Sequence, residues 1–250
     1  VREKSATGEV LRVLLFDPSV LQQRLDAGGT IDGRFRAEGE VSFRPTDARN
    51  GLRVGLDHLT STRRLAAGAE ARLTQLARIE GRLGLASTLT GRLTLRAERR
   101  RTESVAFASR TYDLRALTAE PSVTWASASG VSLTTGVVVS SRVDRLASGA
   151  SPEAALLVRV PVDGRWAPSA GLSLTARAEV SVVDLRGGTG TGLALFELTD
   201  GRGPGMSGLG GLQAVVSFTE AVRATVTYDL RIPNGTRPVQ TARASVSAVF

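Results

Sequence analysis

Histidine occurs once in the 250 residues, within Asp57-His58-Leu59-Thr60-Ser61. An imidazole beside hydroxyls and a carboxylate is the arrangement that nucleophilic hydrolysis needs, with the base in reach of the hydroxyl it activates. His58 and Thr60 also share the parity of apolar neighbours, which is where a plain interfacial histidine would sit. One histidine cannot build a multi-histidine metal site, and the absence of cysteine removes thiolate ligands and disulfides. No cofactor is expected. Gly187-Gly188-Thr189-Gly190-Thr191-Gly192 has neither the spacing of a dinucleotide fingerprint nor the lysine end of a phosphate loop, and reads as a plain loop. Asn234-Gly235-Thr236 is formally a glycosylation sequon, but Pro233-Asn234-Gly235 reads as a turn.

Arginine carries the stronger signal. Of the 32 basic residues only Lys4 is lysine, and the formal net charge is +8. A sequence pI near 11.2 usually points to nucleic acid. These arginines instead alternate with apolar residues along extended stretches, so no nucleic-acid partner is expected. Arg92, Arg96, Arg142, Arg177, Arg223, Arg231 and Arg243 would share a polar face with Glu38, Glu70, Glu98, Glu179 and Asp229. Charged rings of this kind in a channel favour anions. The same groups can equally pair with one another and fill a narrow interior.

Strands are the elements that must position them, because successive side chains in a strand point to opposite faces. Leu83, Leu85, Leu89, Leu93, Leu95 and Ala97 oppose Thr88, Thr90, Arg92, Thr94, Arg96 and Glu98. Leu172, Leu174, Ala176, Ala178, Val180 and Val182 oppose Ser173, Thr175, Arg177, Glu179 and Ser181. The chain closes on Ala242, Ala244, Val246, Ala248 and Phe250, opposite Thr241, Arg243, Ser245 and Ser247. Residues 69–80 alternate too, although their composition also suits an amphipathic helix. Pro45 to Gly51, Arg99-Arg100-Arg101-Thr102, Ser127 to Gly130, Asp163-Gly164 and Glu220-Ala221 are expected turns. Parity slips between Val105 and Ala116, which predicts a bulge near Ala108 to Arg110. Residues 184–210 read as a Gly-rich loop with a short apolar piece at Leu193 to Leu198.

Half-apolar strands of this length cross a bilayer, which takes about 9–11 residues per strand. No run approaches the roughly 20 apolar residues of a membrane helix. The fold expected is all-β: an antiparallel up-and-down transmembrane β-barrel of about twelve strands, or fourteen, over residues 30–250. Residues 1–29 form an N-terminal segment, with Gly8 to Phe16 a possible strand and Asp17 to Gly29 a short helix or turn, at the periplasmic mouth or plugging the lumen. Tyr228, Phe218 and Phe250 form the expected lipid-facing terminal girdle. Aromatic residues are only 4% of the chain, few for two girdles. If the last strand runs inward, the short turns near Glu220, Gly164 and Gly130 are periplasmic, and 184–210 and 144–153 are extracellular. The chain begins at Val1 without a signal segment, and is read as a processed product or a fragment.

Gly192-Leu193-Ala194-Leu195-Phe196-Glu197-Leu198-Thr199-Asp200-Gly201, the alternation through Thr227-Tyr228-Asp229 and the Ser247-Ala248-Val249-Phe250 end resemble the C-terminal barrel region of large, mostly uncharacterised outer-membrane proteins of Gram-negative bacteria. The likeness is clearest over residues 170–250. It implies an outer-membrane address and not an activity; the function expected is that of a non-enzymatic barrel, acting as a narrow pore or as the anchor of a longer surface or periplasmic protein with an upstream domain. The partners expected are outer-membrane lipids, lipopolysaccharide and, through the C-terminal strand, the barrel-assembly machinery. Two other readings stand beside it. One is a soluble secreted β-sandwich or solenoid that buries its apolar residues against one another. The other is an outer-membrane lipid hydrolase using His58, which the Asp57-His58-Leu59-Thr60 segment resembles in two residues, on a strand end placed on the periplasmic side.

Overall fold

The computed structural model describes residues 2–6, 9–17, 22–25, 31–45, 49–65, 68–105, 107, 110–146, 153–187, 193–219 and 221–248, with side chains from Gly33 onward except at Arg64, Leu65 and Leu193. Antiparallel strands follow one another in chain order: β1 (Arg2–Ala6), β2 (Glu9–Asp17), β3 (Gln22–Leu25), β4 (Ile31–Arg44), β5 (Gly51–Leu65), β6 (Gly68–Gly84), β7 (Leu89–Ser104), β8 (Tyr112–Ala126), β9 (Val131–Gly136), β10 (Val138–Asp144), β11 (Glu153–Ser169), β12 (Leu172–Arg186), β13 (Gly205–Ser217), β14 (Val222–Ile232) and β15 (Val239–Ala248). One helix, α1 (Leu193–Thr199), lies between β12 and β13.

The strands form a single sheet in which each is bonded to its neighbours in sequence. β3 continues β2 along β4, and β9 and β10 are one crossing interrupted at Val137. Counted as crossings, β2 to β15 make twelve, with β1 a short edge beside them. The expected number is right, but its first member is the 9–17 strand. Gln22–Leu25 is extended, its backbone groups bonded to β4, and most of the rest of the segment expected as a helix or turn lies outside the described residues. Gly68–Gly84 is likewise a strand despite its helix-forming residues: it is paired on both sides, to β5 and β7, and tertiary pairing outweighs local propensity.

Register sorts the side chains into two faces, since residues directly opposite across a ladder share one. One row runs Arg96, Thr118, Ser140, Leu157, Val183. Another runs Arg243, Thr227, Gln213, Thr175, Arg165. The opposite face carries rows such as Ala77, Ala97, Leu117, Ser141, Leu156. Val41, Leu56, Leu117, Val160, Val180 and Val226 on that face are all more than a third exposed, so it is not buried against a second sheet. This arrangement removes the sandwich alternative.

Connections at one end of the sheet are short (45–50, 85–88, 127–130, 170–171, 218–221). Those at the other end are mostly longer (66–67, 105–111, 145–152, 187–204, 233–238). The contrast expected for the C-terminal half holds from β6 onward and is lost toward the N-terminus, where 45–50 is longer than 66–67. Gly130 shows how tight the short turns are: its φ is +78°, and a Cβ there would lie 2.2 Å from the Ala167 carbonyl oxygen.

Several expected turns are not turns. β11 runs through Asp163-Gly164 and reverses only at 170–171, because Gly164 is held mid-strand between Leu133 and Ala176. Arg99 to Thr102 lie inside β7, paired with β6 and β8. In place of a bulged strand near Ala108 to Arg110, the ladder ends at Ser104 and resumes at Tyr112. Arg110 lies in that connection, its guanidinium 4.7 Å from the Phe107 ring centre.

The slipped parity has a packing cause. Tyr112 and Leu114 turn to the polar face, where with Ala155, Leu157 and Val183 they form the seat on which α1 rests through the fully buried Leu198.

Candidate functional site: the arginine-lined face and its docked helix

Every arginine and acid singled out for this face lies on it. Arg92, Arg96, Arg142, Arg177, Glu179, Arg223, Asp229, Arg231 and Arg243 fall on the same side of the sheet by register. Their surroundings differ from one end of the sheet to the other. Over β4 to β8 several of the cations are paired: Arg36 grips Asp57 at 2.9 and 3.3 Å, Arg78 meets Glu80 at 2.5 Å, Arg92 lies 3.6 Å from the same Glu80, and Arg96 is 3.5 Å from Glu120. On β12 and β14, Arg177 is 3.7 Å from Asp229. Arg223, Arg231 and Arg243 form no ion pair among the described residues and are exposed.

Helix α1 adds what the sequence could not show. Its Glu197 carboxylate accepts a hydrogen bond from Arg100 at 2.7 Å, while Arg100 also reaches Glu98 at 2.5 Å. Arg142 donates to the Glu197 carbonyl at 2.7 Å and lies 3.6 Å from Asp200. Just past the helix, Arg202 donates to Glu179 at 2.5 Å and to Ser181 at 2.8 Å. Seven residues are too few to hold a helix on their own. The three arginines and the Leu198 contact therefore fix the longest connection across the polar face, at the end of the sheet where the longer connections lie.

Arg100 and Arg202 were not singled out from the sequence. Arg100 sits in a run of three arginines, and its partner Glu197 is 97 positions away, so no spacing announces the pair.

The His58 group is split by the pleat. Asp57 faces the polar side and is taken by Arg36, while His58 faces the apolar side, its Nδ1 3.3 Å from the Gln75 amide nitrogen and its ring edge-on to Phe35. The strand does not end there but continues to Leu65, so His58 lies at the middle of β5. Of the expected aromatic girdle, Phe218 lies in the turn after β13 and is 68% exposed, Tyr228 is on the apolar face of β14, and Phe250 lies outside the described residues. Trp125 and Trp166 also stand on the apolar face, each beside a short turn, and both are more than a third exposed.

No family model and no curated protein sequence matches this chain. Among solved structures it is similar to the ferric-catecholate import receptor Fiu of E. coli K12, with a TM-score of 0.58 at 13% identity, over 90% of this chain and 47% of the receptor. The chain thus spans about half the length of that receptor. Looser likenesses are to the translocator domain of the autotransporter NalP from Neisseria meningitidis (14% identity, TM-score 0.37, 98% of this chain and 90% of that one) and to the NanC porin (10%, 0.38, 88% and 99%). The meander, its two-faced strands and the receptor likeness agree: the fold is an antiparallel, up-and-down β-barrel of the outer-membrane type.

Proposed function

We propose that this chain is a non-enzymatic integral β-barrel of a bacterial outer membrane whose arginine face lines a narrow, anion-favouring passage constricted by α1. The observation that carries the reading is the clamp of Arg100 and Arg142 on Glu197, which lays the longest connection over the charged face instead of leaving it in solvent. A loop segment pinned over a channel lining narrows it, and the arginines of β14 and β15 on the same face, without an ion pair among the described residues, lower the energy of anions relative to cations. The chain is read, as its C-terminal third indicates, as the barrel region of a larger outer-membrane protein.

A second role, that of a closed membrane anchor, is favoured by the pairing over β4 to β8, where Arg36, Arg78, Arg92 and Arg96 each have a carboxylate partner. Planar-bilayer recording under a KCl gradient separates the two. A pore gives small chloride-favouring conductances, and R223E/R231E/R243E moves the reversal potential toward the cation side. Silence from both the native chain and a variant with α1 released (E197Q/L198A) leaves the anchor. A chain that stays monomeric in buffer without detergent removes both.

A further inference from the structure

The apolar face is not apolar throughout. On β7 and β8 it ends, toward the longer connections, in Arg99, Arg101, Glu103, Asp113 and Arg115, and Arg145 follows directly after β10. Arg99 and Arg115 are directly opposite each other across the ladder. Like charges in that position repel and are ordinarily avoided.

Nearby carboxylates do not balance them. Asp113 gives both oxygens to Arg99, at 2.8 and 2.9 Å, and Glu103 is taken by Arg101. Arg115 and Arg145 are exposed and make no ion pair among the described residues, while the Arg145 backbone N–H is bonded to the Asp113 carbonyl at 3.0 Å, which holds it in the group. Four guanidinium groups therefore share two carboxylates.

Below this group the same face is hollowed. A groove of about 1040 Å³ runs over β4 to β10, with Arg99, Arg115 and Arg145 at its edge and Val41, Leu56, Ala77 and Leu117 along it. A second hollow of about 400 Å³, sharing Ala77, Ala97 and Leu117, carries it on past Ile79, Leu95 and Val139.

We infer that this is a binding site for a phosphorylated, acylated glycolipid of the lipopolysaccharide type. Arg99, Arg115 and Arg145 take its phosphates and the groove takes its acyl chains. The inference rests on the outer-membrane reading above, which puts the longer connections, and with them this cluster, on the outer leaflet. Guanidinium forks suit phosphate oxygens and form their strongest hydrogen bonds with them. Bound phosphate would also relieve the Arg99–Arg115 opposition, which the chain's own acids do not. Free phosphate would satisfy the arginines but leave the apolar groove unused.

The test uses the whole chain, refolded in detergent and loaded with deep-rough lipopolysaccharide, its dephosphorylated form, phosphatidylglycerol or inorganic phosphate. Lipid retained per chain after washing is read by native mass spectrometry, and each variant is checked for native fold by its migration on unheated gels. The native chain is expected to keep one lipopolysaccharide. R115S/R145S, or removal of the phosphates, lowers retention at least tenfold, and R82S/R165S on the other face leaves it unchanged. R145Q alone, outside any strand, keeps the test valid if the double variant does not fold, and lowers retention severalfold. Equal retention by R145Q and R115S/R145S, by the dephosphorylated lipid or by phosphatidylglycerol overturns the site, even where the gel shift shows that the barrel stands. Loss of the gel shift in the native chain instead overturns the barrel reading itself.

Discussion

Arg142 does two things at once on the polar face: it holds the Glu197 carbonyl and lies near Asp200, while its Nε donates to Ser140 at 3.2 Å. Hydrogen bonds from a charged group contribute about 1.5–3 kcal/mol when partly shielded. R142Q is therefore expected to loosen α1 by roughly the lower of these figures, about a tenfold rise in opening. Hydrogen exchange at residues 193–199 in detergent measures it, and protection equal to that of the native chain would show that the helix is held elsewhere. Truncating Leu198, which is fully buried, acts on the same helix through packing; Leu→Ala at such sites costs about 2–5 kcal/mol. L198A should thus release α1 more completely than R142Q does. Gly130 poses a backbone question instead. Its positive φ and the Ala167 carbonyl 2.2 Å from any Cβ leave no room for a side chain. G130V should lower stability by at least about 1–3 kcal/mol, read from urea unfolding in lipid vesicles.

Strands answer to depth more than to identity. Val160 is 42% exposed on the apolar face near the middle of β11, so V160R places a guanidinium in the hydrocarbon. The expected loss is about 2–4 kcal/mol, against about 0–1 for the same change at a rim position such as Val143. Equal losses at the two positions would mean that no depth gradient exists and that this face does not meet lipid. Period-two alternation made nearly all of this architecture readable from the chain, because each strand is two-faced and register carries that division from strand to strand. It misled where one face had a second task. Tyr112 and Leu114 looked like a slip because they serve the α1 seat, and Arg99 to Arg101 looked like a turn because three adjacent arginines do not alternate. Asp163-Gly164 has turn chemistry yet is held straight by partners on both sides. The site was legible to the extent that it is a face. Its clamp joins residues 97 and 55 positions apart, and local spacing has no means of recording such contacts.

At the scale of the whole molecule the apolar face has a height that can be checked. Along β8 it runs from Arg115 to Trp125, ten residues apart. At about 3.3 Å per residue and a tilt of about 40° this spans about 25 Å, the height of the apolar band on a barrel of this kind. Trp166 takes the corresponding place on β11, beside its own short turn. The ladder runs in chain order from β1 to β15. Which of its two faces meets lipid is read from lipid contact. The two tryptophans settle it directly, since the chain has no others. With both at the interface on the short-turn side, lipids brominated near the headgroup should quench their emission more than lipids brominated at the chain ends. W125F and W166F should each remove about half of that quenching. Iodide in the aqueous phase should quench little. Strong iodide quenching, with no response to either brominated lipid, would place the tryptophans in water, and the arginine-bearing face would then be the one turned away from the interior.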